Sequence, residues 1–143
     1  LEHVKLYVKL VEFRFHGRLC LHQEIPEALK GERILKLTLQ PLIENSIQHG
    51  LAGKRSGGNI WLRGEKRGKD NYIYVVDNGD GITEEVLQRL RGHLGDSALT
   101  GSRHIGMRNV DQRLKLVFGE EYGLFVSASE EGGLCVTVRF RTL

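Results

Sequence analysis

Four residue types are scarce in this sequence: cysteine, proline, tryptophan and methionine. It has two cysteines, two prolines, one tryptophan and one methionine among 143 residues. Cys20 and Cys135 show no CxxC or CxxH spacing, which argues against a metal cage or a redox motif, so we expect two buried thiols in a reducing compartment. No run approaches the ~20 apolar residues of a membrane span, and no signal peptide is visible.

An excess of charge of one sign is also absent. The net charge is +3, and acidic and basic residues are interspersed, which argues against nucleic acid as a partner. The apolar content of 40% and the charged content of 27% are typical of a globular domain, and the length suits one domain with its own core. Because the chain begins at Leu1 inside a helical pattern, we expect it to be a piece of a longer protein.

The sequence does contain a regular succession of helix and strand patterns. Apolar residues recur at helical or alternating spacing, with a weakly patterned loop at 93–106. The predicted helices are 1–15, 35–49, 83–92 and 107–117, and the predicted strands are 18–25, 59–66, 71–77, 123–129 and 134–141. This order predicts an α+β fold: a two-layer sandwich in which a mixed, mostly antiparallel sheet of about five strands carries its helices on one face.

The helical patterns also predict which residues face the core. Thr83 is the expected N-cap of its helix, and Gly50 the expected stop of the helix before it. The inward residues are Leu35, Leu39, Leu42, Ile43 and Ile47 in the second helix and Met107, Val110, Leu114 and Val117 in the last.

The first helix carries two apolar lines rather than one. The first line comprises Val4, Tyr7, Val8, Val11 and Phe15, and the second comprises Leu6, Leu10 and Phe13. A helix with this pattern needs partners on two sides, so one line is expected to pack on the domain and the other on a subunit or a further segment. A fully buried core helix is the alternative.

Asn45 lies beside the apolar arc of helix 35–49, at the edge of the seam between helix and sheet. Pro41 and His49, four residues before and after, share roughly the same stripe. An amide oxygen suits a Mg²⁺ ion that is already bound to phosphates. A mid-helix asparagine that merely satisfies its own hydrogen bonds is the alternative.

The segment 73–82, IYVVDNGDGI, ends an apolar strand in two acids and two glycines. A carboxylate at the end of a buried strand, such as Asp77, can accept a hydrogen bond from an exocyclic amine. The glycines would allow a flat ring to approach the backbone. The alternative is an Asx-type turn that follows the strand.

The segment 101–113, GSRHIGMRNVDQR, carries a third candidate feature. Gly106 is expected just before a helix start, where free N–H groups attract phosphate. Asn109 and Arg113 are one turn apart and can both point at anionic oxygens. The loop before them is longer than ~12 residues, and such loops are usually functional or mobile.

Taken in order, these motifs resemble those of a known family. The series ENSIQHG, DNGDGI and IGMRNVDQRL is similar to the ATP-binding catalytic domain of sensor histidine kinases, within a superfamily shared with DNA gyrase. More narrowly, LQPLIENSIQHGL and IGMRNVDQRLKLVFGEEYG resemble the LytS-like kinases of two-component systems. The resemblance covers essentially the whole chain. It implies the Bergerat ATP-binding fold for residues 17–143 and the end of a dimerisation helix for residues 1–16.

The resemblance implies a role for each matching residue of the first two motifs. Asn45 would hold Mg²⁺, with Glu44 and His49 lining the site. Polarisation of the acceptor histidine by Glu44 is a separate hypothesis, since Glu44 lies about 100° around the helix from Asn45. Asp77 would accept a hydrogen bond from the amino group of adenine. The residues that would shape the adenine pocket beside it are Gly79 and Gly81, followed by Ile82.

For the third motif the resemblance implies the phosphate side of an ATP site. Residues 93–105 would form a mobile lid, Gly106 would leave room beside the phosphates, and Asn109 would contact them. The resemblance also implies that His104 and Met107 belong to the phosphate side of the site.

Three features depart from the family pattern. His104 stands where a glycine is expected. Leu134 follows Gly133 where a threonine is expected, which removes a polar group near adenine. None of the six histidines lies in the family's phospho-acceptor context, which would precede residue 1.

The function that the resemblance implies is transfer of the γ-phosphoryl group of Mg-ATP to a histidine outside this chain. The partners would be the protein's own dimerisation and phospho-acceptor domain, within a homodimer, and a response regulator. The parent protein would be membrane-anchored, with this part in the cytoplasm. Related ATPases carry a water-activating glutamate four residues before the motif asparagine, and Pro41 at that position favours a kinase. The alternatives are a degenerate module that binds nucleotide or a partner without transfer, and an ATPase or serine kinase on the same fold.

Overall fold

The structure, a computed structural model, describes residues 2–14, 19–32, 38–51, 57–79, 83–95 and 105–142. The helices are α1 (Glu2–Arg14), α2 (Glu27–Lys30), α3 (Leu39–Asn45), α4 (Glu84–Gly95) and α5 (Ile105–Phe118), and a π-helical turn (Ser46–Gly50) continues α3. The strands are β1 (Leu19–Glu24), β2 (Gly58–Arg67), β3 (Asp70–Asp77), β4 (Gly123–Ala128) and β5 (Leu134–Arg141).

The five strands form one mixed sheet in the order β1-β2-β3-β5-β4. Strands β1 and β2 are parallel, because the connection between them crosses over through α2 and α3. The other three pairings are antiparallel. A tight turn joins β2 to β3, with Gly68 at a positive φ of 61°. The predicted mixed, mostly antiparallel sheet is therefore confirmed.

Alternation along the strands separates a core face from an open face. Ile60 and Leu62 in β2, like Ile73 and Val75 in β3, are buried beneath the helices. The residues between them on β2 and β3, such as Trp61, point to the other face and stay partly exposed. This arrangement confirms the predicted two-layer α+β sandwich.

The two central helices, α3 and α5, bury the predicted residues that the structure describes, with one correction; Leu35 lies outside the described residues. Leu42 of α3 and Leu114 of α5 are fully buried, whereas Val117, predicted to face inward, is 49% exposed. Helix α5 continues to Phe118, one turn beyond Leu114, and that larger ring takes the inward position against Tyr122.

Helix α1 docks on the domain through one of its two apolar lines. Val11 is 2% exposed, and Tyr7 packs against the core. The second line stays exposed: Leu6 by 64%, Leu10 by 61% and Phe13 by 78%. Helix α1 contacts β1 and α3. Within the described ranges, no helix is both long and apolar enough to span a bilayer.

The prediction of two buried thiols is wrong. Cys20 is exposed and Cys135 is only half-buried. Their strand neighbours Leu19, Leu21 and Leu134 face the core, so alternation turns both cysteines to the open face of the sheet.

Several element boundaries also differ from the predicted ones. The α-helical part of α3 ends at Asn45, and Gly50 belongs to the π-helical turn rather than following a regular helix. Helix α5 begins at Ile105, so Gly106 lies inside its first turn rather than before it. The four-residue α2 was not predicted, because one helical turn is too short to show a period. Thr83 is confirmed as an N-cap, since its hydroxyl accepts a hydrogen bond from the Val86 N–H (3.2 Å).

Candidate functional site

Asp77 is the last residue of β3, and the strand's alternation turns its carboxylate into the seam beneath the helices. The residue is 1% exposed. Its Oδ1 accepts hydrogen bonds from the backbone N–H groups of Gly79 (3.0 Å) and Leu134 (3.2 Å). Its Oδ2 is buried and has no hydrogen-bond partner in the part of the chain that the structure describes.

The alternative that the sequence offered for Asp77, an Asx-type turn, is present, and it leaves room for the acceptor role as well. The Gly79 hydrogen bond is an Asx-type turn, and it uses only Oδ1. The second carboxylate oxygen remains available as a buried acceptor. A buried acceptor without a donor is unfavourable by about 1–3 kcal/mol, so this atom favours a ligand that brings an N–H group.

Burial raises the pKa of the Asp77 carboxyl, because the charged form loses its hydration. The hydrogen bonds from Gly79 and Leu134 and the nearby Ser46 hydroxyl act in the opposite direction. Ser46 lies in the π-helical turn; its hydroxyl is near enough to the carboxylate to lower its pKa, but its buried Oγ does not meet hydrogen-bond geometry with any described group. Two unsatisfied polar atoms, Asp77 Oδ2 and Ser46 Oγ, therefore lie close together in the seam.

The turn between β4 and β5 closes over the end of β3. A Cβ on Gly133 would lie 1.8 Å from Asp77 Oδ1 and 2.6 Å from the Gly79 nitrogen. Gly132, at a positive φ of 110°, lies beside the Gly79 carbonyl oxygen. Sequence reasoning did not assign this pair to the site, although two adjacent glycines before a strand were the available signal. Only glycine fits at position 133.

Asn78 fixes the same turn from the other side and was also missed from the sequence. Its Oδ1 accepts a hydrogen bond from the Asn59 N–H (2.8 Å), and its Nδ2 donates to the Gly57 carbonyl (3.0 Å). The turn after Asp77 is therefore held by the start of β2 as well as by β5.

Asn45 is the last α-helical residue of α3 and is buried. Helix α3 and the π-helical turn both contact β3, the strand that ends in Asp77. The π geometry is closed by a hydrogen bond from the Leu51 N–H to the Ser46 carbonyl (2.9 Å). Such turns occur frequently at functional sites. His49 lies within this turn.

The first turn of α5 lies against the first turn of α3. A Cβ on Gly106 would lie 3.6 Å from the Pro41 Cβ, an ordinary contact. Gly106 is partly exposed and Asn109 is exposed, whereas Met107 is buried in the core. The structure therefore places Gly106 and Asn109 on the accessible side of α5 and Met107 on the inner side. Met107 contributes to packing at this position.

Part of the predicted site falls outside the described residues. Gly81, Ile82 and His104 belong to this part, as does 96–104 of the predicted lid. The remaining lid residues belong to helices, since α4 extends to Gly95 and α5 begins at Ile105.

Glu44 faces α1 rather than Asp77. Its Oε1 accepts a hydrogen bond from the Tyr7 hydroxyl and forms an ion pair with Arg14 Nη2 at 3.5 Å. Successive helical residues are rotated by about 100°, which separates Glu44 from the direction of Asn45. The sequence grouped the two residues; the structure pairs Glu44 with α1 and buries Asn45 at the end of α3.

The arrangement suits a flat ligand that carries an amino group. Asp77 Oδ2 offers the acceptor, Gly79 and Gly133 add no side chain of their own beside the carboxylate, and Asn45 lies on the adjoining helix. Among the described residues, no group of three or more His, Cys, Asp or Glu side chains could hold a metal ion. An ion at Asn45 would therefore depend on oxygens that the ligand itself supplies, as Mg²⁺ bound to phosphates does.

The class of protein follows from comparison of this fold and sequence with known families. Residues 30–143 match the family described as histidine kinase-, DNA gyrase B-, and HSP90-like ATPase. The match spans most of the chain, so the chain belongs to this family.

Within that family, the chain is similar to sensor histidine kinases and LytS-type sensor proteins. The chain is 35% identical over 135 residues to the sensor histidine kinase YesM of Bacillus subtilis (94% of this chain, 22% of the relative). It is 32% identical over 137 residues to the sensor protein LytS of Oceanobacillus iheyensis (94% and 23%). The resemblance to LytS-like kinases stated from the sequence is confirmed. The chain spans about a fifth of the length of these relatives.

A solved structure supports the fold independently of close sequence similarity. The Acinetobacter baumannii histidine kinase AdeS superimposes with a TM-score of 0.63 at 15% identity, over 97% of this chain and 62% of that chain. At this identity the likeness concerns the fold alone.

Proposed function

We propose that this chain is the ATP-binding catalytic domain of a sensor histidine kinase. In this proposal it binds Mg-ATP and promotes transfer of the γ-phosphoryl group to a histidine outside the chain. The observation that carries the proposal is Asp77, whose buried Oδ2 has no hydrogen-bond donor among the described residues, while its Oδ1 accepts two hydrogen bonds. The amino group of adenine is a donor of the required kind, and guanine presents a carbonyl oxygen at the corresponding position.

The residues present fit an adenine nucleotide. Asp77 would accept from the adenine amino group, and Gly79, without a side chain, would let the ring approach the backbone. The tight Gly133 contact would fix the orientation of the carboxylate. Ser46 supplies a second unsatisfied polar atom in the same seam. Asn45 would hold Mg²⁺, which would neutralise charge on the phosphates. Gly106 and Asn109, on the accessible side of α5, would lie toward the phosphate end.

Phosphoryl transfer requires positioning and charge stabilisation more than covalent chemistry from the protein. An imidazole nitrogen is itself a nucleophile, so the chain needs no strong base. Pro41 occupies the position where related ATPases carry a water-activating glutamate, and it lies in the first turn of α3. These features favour transfer to a histidine over hydrolysis.

The relatives suggest the setting in which this domain works. YesM is named as a sensor histidine kinase, and we propose that the present chain serves a two-component system with a response regulator. The exposed line Leu6, Leu10 and Phe13 of α1 would pack on a partner helix in a homodimer. The segment 1–16 would be the end of a dimerisation helix. The parent protein would be membrane-anchored, with residues 17–143 forming a catalytic domain in the cytoplasm.

Nucleotide binding is the first test. Calorimetric titration with a non-hydrolysable ATP analogue and Mg²⁺ should show binding, and the GTP analogue should bind more weakly. Asp77→Asn should weaken ATP binding by about 1.5–3 kcal/mol, the scale of a hydrogen bond to a charged group. Asp70→Asn is the matched control, because Asp70 lies at the opposite end of β3, bonded to Tyr122 and Arg139. Equal affinities for both analogues in the wild type and in Asp77→Asn would refute the adenine assignment.

Transfer is the second test. The whole protein, which would carry the acceptor histidine, should take up the γ-phosphoryl of ATP as an acid-labile label. Replacement of Asn45 by alanine should reduce both the Mg²⁺ dependence and the label. ATP binding without any label would support the degenerate binding module instead, and phosphate release by the domain alone would support an ATPase.

A further inference from the structure

Glu44 is held by two residues of α1 that lie far from it in the sequence. Both the Tyr7 hydroxyl and Arg14 Nη2 interact with the same oxygen, Oε1. We infer that Tyr7 and Arg14 are positioning residues for Glu44, so that the docking of α1 sets the orientation of this carboxylate for phosphoryl transfer. The inference rests on the proposed function.

The contact lies along the stripe of α1 that docks on the domain. Tyr7, Val11 and Arg14 occupy positions i, i+4 and i+7 and therefore share one helix face. Val11, between the two polar residues, is buried in the core. The apolar anchor and the two donors to Glu44 therefore depend on the same docked position of α1.

The contacts of Tyr7 and Arg14 with Glu44 orient this carboxylate more than they stabilise the fold. Burial, and then the hydrogen bond to Glu44, raise the pKa of the Tyr7 hydroxyl well above its ordinary value, so Tyr7 stays protonated and remains a donor at neutral pH. The Arg14 side chain is 58% exposed and that of Glu44 is 33% exposed, so solvent screens their ion pair, and such pairs contribute little to stability. What the two donors supply is a fixed direction for a side chain that would otherwise change rotamers.

A carboxylate with one oxygen committed to α1 presents the other oxygen in a defined direction. That oxygen can accept a hydrogen bond from one ring N–H of the phospho-acceptor histidine. The lone pair of the other ring nitrogen is then free to attack the γ-phosphorus. The N–P bond forms as the bond from the γ-phosphorus to the bridging oxygen breaks, and ADP leaves with that electron pair. The ring gains positive charge in this step, and the Glu44 carboxylate stabilises it.

The test removes one hydroxyl and measures transfer in the whole protein. Tyr7→Phe should lower the single-turnover rate of histidine labelling at saturating ATP by about 2- to 10-fold, the effect of one hydrogen bond. The affinity for the ATP analogue should be unchanged. Tyr74→Phe is the matched control, since its hydroxyl also donates to a glutamate, Glu65 (3.1 Å), and Tyr74 lies on the open face of the sheet. It should change neither quantity.

A double-mutant cycle separates positioning from a merely structural role. If Tyr7 acts through Glu44, then Tyr7→Phe should have no further effect on the transfer rate once Glu44→Gln is present. Arg14→Lys, which keeps a cation near Oε1, should retain more activity than Arg14→Ala. Additive effects of Tyr7→Phe and Glu44→Gln would overturn the inference.

The outcomes distinguish this inference from the proposed function. A wild type that binds the ATP analogue and labels its histidine, with Tyr7→Phe equal to Tyr74→Phe, overturns only the role of Tyr7. A wild type that binds no ATP analogue overturns the proposed function and the inference with it.

Discussion

Asp77 and Gly133 are in contact so close that no side chain fits between them. A Cβ on Gly133 would lie 1.8 Å from Asp77 Oδ1, and the next residue, Leu134, donates its N–H to that same oxygen (3.2 Å). The end of β3 and the start of β5 thus hold the carboxylate in one orientation, with Oδ2 left as a buried acceptor. The fixed acceptor is a consequence of strand pairing, because Val76 is paired with Cys135 one residue away.

The contact predicts the effect of adding one methyl group. Gly133→Ala should destabilise the domain by about 1–3 kcal/mol, since overpacking forces the backbone or the carboxylate to move. It should also weaken binding of the ATP analogue, because Oδ1 and Oδ2 move together. Urea unfolding and calorimetry measure the two effects. Gly92→Ala, at an exposed helical position with nothing within 4 Å, should instead be neutral or stabilising. Equal stability of Gly133→Ala and wild type would contradict the close contact.

Ionisation of the buried Asp77 carboxyl should lower the free energy of unfolding as the pH rises. Its folded-state pKa is raised by burial, so the native state binds more protons than the unfolded state in the interval above the ordinary carboxyl value of about 3.9. The free energy of unfolding of the wild type should therefore fall, relative to that of Asp77→Asn, as the pH rises from about 4 to 7. Urea titrations of both proteins at several pH values measure this difference. A wild type that gains stability relative to Asp77→Asn over this range would show that the pKa is lowered instead.

The same ionisation should control base selectivity. The proposed adenine contact needs Oδ2 as an acceptor, so protonation of Asp77 should weaken ATP binding more than GTP binding. The ratio of the two affinities should therefore decrease as the pH falls toward the raised pKa of Asp77. Use of the ratio cancels the ionisation of the phosphates, which both nucleotides share. A ratio that does not change with pH would count against Asp77 as the base-reading residue.

A different carboxylate, Asp111, should matter for stability. It is buried, its Oδ1 accepts a hydrogen bond from the Leu124 N–H (2.8 Å), and its Oδ2 is paired with Lys115 at 2.9 Å. Asp111→Ala should cost about 1–3 kcal/mol, because it leaves the buried Leu124 amide without an acceptor. Thermal or urea unfolding tests this value. The control Glu85→Ala removes an exposed ion pair with Arg89 and should cost less than about 1 kcal/mol.

The sequence predicts those features that depend on local periodicity. Alternating apolar residues predicted the bounds of every strand within a residue or two and placed Asp77 at the end of β3. This succeeded because the alternation lies within each strand and does not depend on distant contacts. The π-helical turn could not be predicted, since ENSIQHG keeps a helical spacing whether or not one residue is inserted into the turn. Val117 was misplaced for a related reason, because the position of Phe118 depends on where α5 ends.

The features that the sequence did not predict depend on contacts between segments that are distant along the chain. The tight fit of Gly133 against Asp77 depends on the register of β5 on β3, and two glycines in a turn do not reveal what they approach. The link from Tyr7 to Glu44 joins residues 37 positions apart and requires α1 to dock beside α3. The sequence grouped Glu44 with Asn45 because they are adjacent, whereas the fold turns Glu44 toward α1.

The exposed line of α1 predicts where the whole protein associates. Leu10, 61% exposed, lies on the line that does not contact this domain, so Leu10→Glu should leave the stability of the domain unchanged and weaken the proposed homodimer. A buried charge at a helix interface lacks compensation and favours dissociation. Leu116→Glu is the matched control, because Leu116 is an even more exposed leucine (87%) on α5. Analytical ultracentrifugation should show dissociation for Leu10→Glu alone. Dissociation by Leu116→Glu alone would place the interface on α5 and leave the α1 line without this role.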